Sequence, residues 1–295
     1  MIVRGVYARA VNLSTIYSGD TCLREFWTSV AKRDYMAGIF VWVSADFMGE
    51  PKPVHWPQVA AIKGSFDAVL LPKDTAWQYR AWWNGAPPAP LVHVLPHWNW
   101  SPGNNVEVWA YTNAAAVELY VDDISYGKQS VPPLSRPAGW NVTWTRPGNV
   151  TAVAYAADGT VSARDTVVTA GPASALSLVL ENGPSLLADG QSTAIVTVRV
   201  TDAQGNVVPT STAVVDFSLD AGAAGTLTGG GSGDPLSHEH QQAASHGMWA
   251  GLGRVWLRAG LTPGTITLRA TSPGLSPALL SIPVGPNLQP QLTTL

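Results

Sequence analysis

Apolar residues recur at helical spacing near the start of the chain. In residues 23–36 they fall close to every third or fourth position and the charged residues lie elsewhere, which predicts an amphipathic helix that ends by Gly38. The apolar positions are Leu23, Phe26, Trp27, Val30 and Tyr35. Residues 73–83, which follow Pro72, are predicted to form a second helix.

A short apolar run lies between these two segments. Residues 39–43 (IFVWV) are all hydrophobic, which is typical of a strand buried on both faces, as in a parallel sheet. A proline-rich loop follows at residues 49–57. Helix, buried strand, long loop and helix in this order predict an α/β arrangement for the first part of the chain.

Beyond residue 90 the hydrophobic period changes from helical to two. A turn-rich boundary at residues 84–90 precedes the change, and turn dipeptides such as Asp122-Asp123 and Asp158-Gly159 separate short alternating runs. The runs are residues 106–111, 116–121, 140–144 and 150–155. Short alternating strands at this spacing predict a β-sandwich.

A second set of strand-like runs begins after Gly171-Pro172. Residues 204–206 form a predicted hairpin turn, residues 225–233 are interpreted as a glycine-rich insertion, and the tail from Pro286 is polar. The runs are residues 175–180, 193–200, 212–219, 253–257 and 265–270. They predict a second sandwich.

The composition argues against some classes of function but does not identify one. The chain has 295 residues, which corresponds to roughly two or three domains. With 17 basic and 20 acidic residues the net charge is −3, which argues against a nucleic-acid partner. No run of about 18 apolar residues predicts a membrane span, and Arg4 and Arg9 interrupt any secretory leader. The single cysteine, Cys22, excludes an internal disulfide and a cysteine-based zinc site.

Tryptophan is abundant and unevenly distributed. Of 13 tryptophans, 11 precede residue 145, so the chain has at least two parts of different character. Three glycosylation triplets begin at Asn12, Asn141 and Asn149, but so short a motif often arises by chance. The compartment therefore stays open.

Short motifs along most of the chain follow one another in the order of a known family. The most specific is residues 93–100 (HVLPHWNW), and Asp46-Phe47-Met48-Gly49-Glu50-Pro51 is similar to that family's Asp-Tyr-x-Gly-Glu-Pro loop. The others are residues 4–7, 33–42, 72–74, 117–122, 169–171, 188–190, 201–209 and 233–239. In this order the chain resembles the C-terminal portion of a glycoside hydrolase family 2 enzyme of the β-galactosidase type.

The resemblance implies a mostly β, multidomain fold. Residues 1–85 would be the C-terminal remnant of a (β/α)8 barrel, followed by a β-sandwich at residues 90–171, an immunoglobulin-like β-sandwich at residues 172–285 and a tail at residues 286–295. A complete barrel needs at least about 200 residues, so the barrel would be incomplete. We interpret Met1 as a start inside a longer reading frame or as the start of a truncated product.

The resemblance also implies an activity. The family hydrolyses terminal β-galactosides or related β-glycosides with retention, using two glutamates that by this match fall upstream of Met1. The chain would then be inactive alone, or active with a complementing chain or as a homo-oligomer. Carbohydrate would be the partner of a completed barrel; no cofactor, membrane or nucleic acid is expected. No metal site is expected among these residues, and metal dependence stays open because the family's ligand positions fall mostly upstream.

Two residues are the predicted substrate-binding positions. The resemblance makes Trp42 an aromatic wall of the sugar subsite, with a core tryptophan as the alternative, and it lets Asp46 orient the subsite by hydrogen bonds. Asp46 and Glu50 as a catalytic acid and base are disfavoured, because the family places its chemistry elsewhere. Lys73-Asp74 is interpreted as a helix start rather than a sugar clamp.

Other clusters have competing interpretations. His238-Glu239-His240 with His246 lacks the helical spacing of a zinc motif, so we favour a solvated loop over a metal site. Trp98 and Trp100 would share one face of a strand and pack a domain interface rather than stack on sugar. At the level of the whole chain, the alternative is a non-catalytic carbohydrate-binding or structural β-sandwich module; an adhesin explains only residues 172–285.

Overall fold

The computed structural model describes residues 20–51, 56–83, 89–134 and 137–287, with side chains from residue 26 onward. These residues are mostly β-structure. The chain divides into two compact units, one of residues 1–170 with 235–237 and one of residues 171–234 with 238–295. Motifs at residues 4–7 and the triplet at Asn12 lie outside the described residues, as do Met1, Cys22's side chain and most of the tail.

The first unit holds two helices and nine strands among its described residues. The helices are α1 (Asp20–Ala31) and α2 (Asp74–Trp83). The strands are β1 (Phe47–Met48), β2 (Ala60–Ala61), β3 (Val92–Leu95), β4 (Asn105–Thr112), β5 (Ala116–Val121), β6 (Ile124–Ser130), β7 (Ala138–Thr143), β8 (Asn149–Tyr155) and β9 (Val161–Val168). Neither helix is long and apolar enough to cross a membrane.

The predictions for the first 83 residues are partly wrong. Helix α2 is confirmed, but α1 ends at Ala31 rather than near Gly38. Tyr35 and Met36 are exposed, and a helix gains most of its stability by packing its apolar face. Residues 39–43 form no strand, and Phe40 and Trp42 face solvent, because no strand of the described residues pairs with them.

Two antiparallel sheets follow in the first unit. Their orders are β3-β4-β7 and β6-β5-β8-β9, and both contribute alternate side chains to one core. That core contains Trp98, Trp140 and Trp144, and the Trp144 Nε1–H donates to the Trp98 carbonyl at 3.1 Å. The four predicted strands in this region are confirmed. Strands β6 and β9 were not predicted, because these two strands bury few side chains and their sequences alternate weakly.

The second unit has the remaining nine strands. They are β10 (Ala175–Leu180), β11 (Leu186–Leu187), β12 (Thr193–Thr201), β13 (Val214–Leu219), β14 (Gly225–Gly231), β15 (Ser245–Gly247), β16 (Leu252–Ala259), β17 (Gly264–Thr271) and β18 (Ala278–Gly285). They form sheets of order β10-β12-β16-β14 and β11-β18-β17-β13-β15, which share one core of mainly Val, Leu and Ile. The turn at residues 204–206 is confirmed: Thr201 bridges Val207, and the Asp202 N–H donates to the Asn206 carbonyl.

The interpretation of residues 225–233 as an insertion is wrong. Residues 225–231 are strand β14, paired with β16 in the sheet. A Cβ on Gly225 would come within 2.4 Å of the Arg258 carbonyl oxygen, and one on Gly230 within 2.8 Å of the His246 ring. Glycine therefore allows close packing within a strand here. The sequence interpretation failed because a run of glycines is more often found in loops.

Candidate functional site

A buried ion pair forms the centre of the described loops between the two helices. The Lys73 Nζ lies 2.6 Å from each carboxylate oxygen of Asp46, and both side chains are almost fully excluded from solvent. The Gly64 N–H donates to Asp46 Oδ1 at 2.8 Å. Lys73 Nζ also approaches the Ile62 carbonyl oxygen at 3.4 Å. The carboxylate and the ammonium therefore satisfy each other inside the protein.

Three stretches of backbone hold this pair. Asp46 donates its N–H to the Phe66 carbonyl, and Phe66 donates to the Ser44 carbonyl, so residues 44–46 run beside residue 66. Lys73 donates its N–H to the Ser65 carbonyl immediately before α2 begins. Gly64 allows the close approach, since a Cβ there would lie 2.3 Å from the Ala45 carbonyl carbon.

Burial dominates the electrostatics of the pair. Removal from water raises the pKa of Asp46, although the Lys73 ammonium and the Gly64 N–H act in the opposite direction. Burial likewise lowers the pKa of Lys73, against the attraction of Asp46. Burial therefore opposes the charge on each group, and the opposite charge of the partner favours it.

Trp42 is an exposed aromatic residue of the same segment. Its side chain is 73% exposed and contacts Phe47 edge-on, with ring centroids 6.4 Å apart. Phe40 and Met48 are exposed as well. The expected position of Trp42 at the end of a buried strand is wrong, as is the alternative of a core tryptophan; its role at a sugar subsite stays a prediction.

The acidic residues near Trp42 have different surroundings. Glu50 is exposed, and its Oε2 lies 3.5 Å from Lys63 Nζ. Asp46 is enclosed and engaged by Lys73. One exposed and one enclosed carboxylate, each beside a lysine, suit ion pairing better than proton transfer to a bound substrate.

Lys73 and Asp74 have separate roles at the start of α2. Lys73 enters the buried pair, whereas Asp74 lies in the first turn of the helix and accepts a hydrogen bond from His93 at 2.8 Å. The helix-start interpretation is therefore confirmed for Asp74 but incomplete for Lys73. The position of Lys73 just before a helix does not indicate that its partner is Asp46, 27 residues earlier in the chain.

His93 of β3 contacts both helix α2 and strand β9 in the first unit. His93 Nε2 lies 2.8 Å from Asp74 Oδ1, and its Nδ1 lies 3.5 Å from Asp165 Oδ2. The ring stacks on Trp77 at 4.9 Å. Burial alone would lower the pKa of His93, but the hydrogen bonds and charges of Asp165 and Asp74 outweigh it and raise the pKa to about 9.

The remaining predicted clusters have surroundings of their own. Trp98 lies in the core of its own two sheets, so the expected domain-interface role is wrong; Trp100 instead stacks on His97 at 4.9 Å, outside any strand. His246 is buried on β15 with Nδ1 3.3 Å from Glu239 Oε2, which corrects the solvated-loop interpretation for that residue. The described residues contain no cluster of three or more potential metal ligands.

Comparison with known protein families identifies two regions of the chain. Residues 179–281 match the family described as glycoside hydrolase family 2 C-terminal domain 5. Residues 103–163 match a domain of unknown function, DUF4982. The second of these regions lies within the first unit, across β4–β9.

Longer relatives align with most of the chain. A beta-galactosidase, BoGH2A, of Bacteroides ovatus is 33% identical over 254 residues, which cover 86% of this chain and 29% of that protein. A beta-glucuronidase of Formosa agariphila is 33% identical over 266 residues, covering 88% of this chain and 26% of that protein. The chain therefore spans less than a third of the length of these relatives.

Solved structures show the same correspondence. A beta-glycosidase from Bacteroides vulgatus superposes with a TM-score of 0.81 at 27% identity, covering 88% of this chain and 32% of that chain. A beta-glucuronidase from glycoside hydrolase family 2 superposes with a TM-score of 0.77 at 30% identity, covering 93% of this chain and 28% of that chain. The shared fold extends across both units.

Proposed function

We propose that this chain contributes one wall of the sugar-binding site of a retaining β-glycosidase. The premise is that the chain corresponds to the C-terminal portion of a glycoside hydrolase family 2 enzyme. The observation that carries the proposal is the exposed Trp42, whose ring contacts that of Phe47, the residue that follows the enclosed Asp46 in the chain. An exposed aromatic ring suits the apolar C–H face of a sugar.

Trp42 would contact the sugar directly, and Asp46 would act through position. The Asp46 carboxylate is occupied by Lys73 and by the Gly64 N–H, so it holds the loop that leads from Trp42 to Phe47, whose ring contacts Trp42. A loop held by a buried ion pair keeps its geometry when a ligand arrives. In this proposal Asp46 is a positioning residue.

The bond-breaking chemistry would come from outside the described residues. A retaining glycosidase needs two carboxyl groups about 5–5.5 Å apart, one as nucleophile and one as acid and base. Near Trp42, Asp46 is engaged by Lys73 and Glu50 by Lys63. We therefore assign catalysis to two family glutamates of a completed barrel, with residues 20–83 as part of its wall.

Barrel completion also gives the exposed apolar side chains a partner. Phe40 is fully exposed, and Tyr35, Val41 and Trp42 are exposed beside it in the chain. Large apolar patches on a protein surface generally mark a contact with another element or chain. In the proposal, the remaining barrel segments cover part of this patch and leave Trp42 at the rim of the site.

The charges favour a neutral sugar. Lys63 and Lys73, the described lysines of residues 40–73, each lie beside a carboxylate. A uronic acid would need an uncompensated cation, whereas a galactoside needs only hydroxyl partners and an aromatic face. We therefore propose a terminal β-galactoside as the substrate rather than a β-glucuronide.

The test is hydrolysis of 4-nitrophenyl β-galactoside and β-glucuronide by the 295-residue chain, beside a version extended upstream in its own reading frame. We expect galactosidase activity in the extended version and none in the short chain. Activity in the short chain would overturn the assignment of catalysis. Inactivity of both versions towards both substrates would overturn the proposal of an enzyme. Faster hydrolysis of the glucuronide would overturn the proposal of a galactoside substrate.

Within the active version, Trp42→Ala should raise KM at least tenfold, because it removes a ring that contacts the sugar. Phe26→Ala is the matched control, since Phe26 is also an exposed aromatic residue but lies on α1. An unchanged KM for Trp42→Ala would remove Trp42 from the site.

A further inference from the structure

The outer face of the sheet β3-β4-β7 carries a cleft that the proposed catalytic site does not use. Its volume is about 450 Å³, and Glu107 and Trp109 of β4 and Gly139 and Asn141 of β7 line its floor. Register pairs Glu107 with Asn141 and Trp109 with Gly139. Since alternate residues of a strand share a face, these four positions form one outward-facing patch.

Glycine at position 139 leaves the indole of Trp109 uncovered from the neighbouring strand. A Cβ there would lie 3.7 Å from the indole Cδ1 and Nε1, in ordinary contact, so glycine is not required by packing. The φ of Gly139 is not in the left-handed region, so the backbone does not require glycine either. The absence of a side chain at this position opens one side of the ring.

The polar groups around the ring point outward without protein partners. Among the described residues, no hydrogen bond or ion pair engages the Glu107 carboxylate, the Asn141 carboxamide or the Trp109 indole N–H. Elsewhere on the same face the polar side chains are paired: Thr143 Oγ1 donates to Asn105 Oδ1 at 2.9 Å, and His93 contacts Asp74. The cleft thus concentrates the unpaired donors and acceptors of this face.

The edge of the cleft is fixed. Gln129 donates its Nε2–H to the Gly139 carbonyl at 2.7 Å and accepts the Gly139 N–H at 3.2 Å, so it satisfies both backbone groups of Gly139. A strand edge whose backbone groups are already bonded cannot pair with another strand at that residue. At the cleft this disfavours strand addition by a peptide and favours recognition by side chains.

We propose that this cleft is a second, non-catalytic binding site for a neutral saccharide. One face of a sugar ring would pack on Trp109, and its hydroxyls would donate to the Glu107 carboxylate and exchange hydrogen bonds with Asn141. The carboxylate selects against uronic acids by like-charge repulsion. The choice of a saccharide rests partly on the proposed glycosidase function, whereas the cleft itself rests on the contacts above.

The test is affinity electrophoresis of the 295-residue chain through gels that contain β-1,4-galactan, xyloglucan or polygalacturonate. We expect at least one neutral polysaccharide to retard the chain and polygalacturonate to leave it unretarded. Trp109→Ala should weaken the retardation about tenfold, and Gly139→Thr should do the same by covering the ring with a residue that strands accept.

Tyr126→Ala is the matched control, because Tyr126 is an exposed aromatic residue of β6 on the other sheet of the same unit. It should bind as the unchanged chain does. Far-UV circular dichroism checks that each variant folds. If Trp109→Ala does not fold, Glu107→Gln, at an exposed position, replaces it as the variant that should weaken the retardation.

Three results would overturn the proposal: no retardation by either neutral polysaccharide, retardation that survives both Trp109→Ala and Gly139→Thr, or stronger retardation by polygalacturonate. The readout is binding and needs no catalysis. Its failure therefore leaves the glycosidase proposal standing, and failure of the glycosidase assay leaves this one standing.

Discussion

At the scale of single residues, the Asp46–Lys73 pair is an enclosed ion pair of the described loops. Two enclosed charges cost several kcal/mol each to remove from water, and their attraction offsets that cost only while both are present. The pair also joins positions 27 residues apart in the chain. We therefore expect loss of one partner to be far more damaging than loss of both.

Lys73→Met should lower the free energy of unfolding by about 3–5 kcal/mol, because it leaves the Asp46 carboxylate buried and uncompensated. The double variant Asp46→Leu/Lys73→Met should recover most of that loss, since neither charge of this pair then remains enclosed, and the buried Asp67 keeps the hydrogen bonds that it accepts from the Val69 and Leu71 N–H groups. Urea denaturation followed by circular dichroism measures both.

Lys63→Met is the control for this prediction. Its Nζ forms an exposed ion pair with Glu50 at 3.5 Å, and such pairs contribute about 0–1 kcal/mol. If Lys73→Met cost no more than Lys63→Met, the buried pair would not stabilise these loops.

At the scale of elements, His93 of β3 connects α2 and β9 through its contacts with an aspartate of each. Helix α2 presents Asp74 and Trp77 to this histidine, and β9 presents Asp165. An imidazolium between two carboxylates stabilises the attachment only while it is protonated. The pH dependence of stability therefore reports on this junction.

The sign follows from the two pKa values. The folded pKa of His93 is about 9 and the unfolded value about 6.5, so its contribution is complete below pH 6.5 and is lost as the pH rises through 9. The shift corresponds to at most about 3 kcal/mol. The free energy of unfolding should fall by up to this amount between pH 6.5 and 9.5.

His93→Phe keeps the ring against Trp77 and removes the charge, so it should be much less sensitive to pH in this range. His97 does not interfere, because burial lowers its pKa to about 4 and its titration falls on the acid side. Equal slopes for the unchanged chain and His93→Phe between pH 6.5 and 9.5 would refute the junction's role.

At the scale of the whole molecule, the second unit has a core of its own. Its two sheets bury a contiguous cluster that includes Val198, Leu257 and Ile266. A unit that buries its apolar residues without outside help should fold without the rest of the chain.

Residues 171–287 expressed alone should give a β-type circular dichroism spectrum and one cooperative thermal transition. Trp249 and Trp256, the two tryptophans of this unit, should give near-ultraviolet signals that disappear in the same transition. A spectrum without cooperative unfolding would show that the unit depends on other parts of the chain.

The sequence by itself determined the β-structure of the second two-thirds of the chain, because alternating burial leaves a period of two in the sequence. Strand β5, whose buried positions alternate, was predicted to the residue for this reason. The family resemblance was likewise available from the order of short motifs. Strands β6 and β14 left no such pattern, since β6 is exposed along most of its length and the glycine-rich β14 has few side chains to bury.

Only the tertiary structure decided the contacts between distant positions. Lys73 and Asp46 were both noted in the sequence, but as a helix start and a subsite residue, because nothing local indicates that their side chains meet. The same holds for His93 between Asp74 and Asp165, and for Trp109 opposite Gly139. Local propensity determines elements, whereas ion pairs and clefts depend on which elements become neighbours in space.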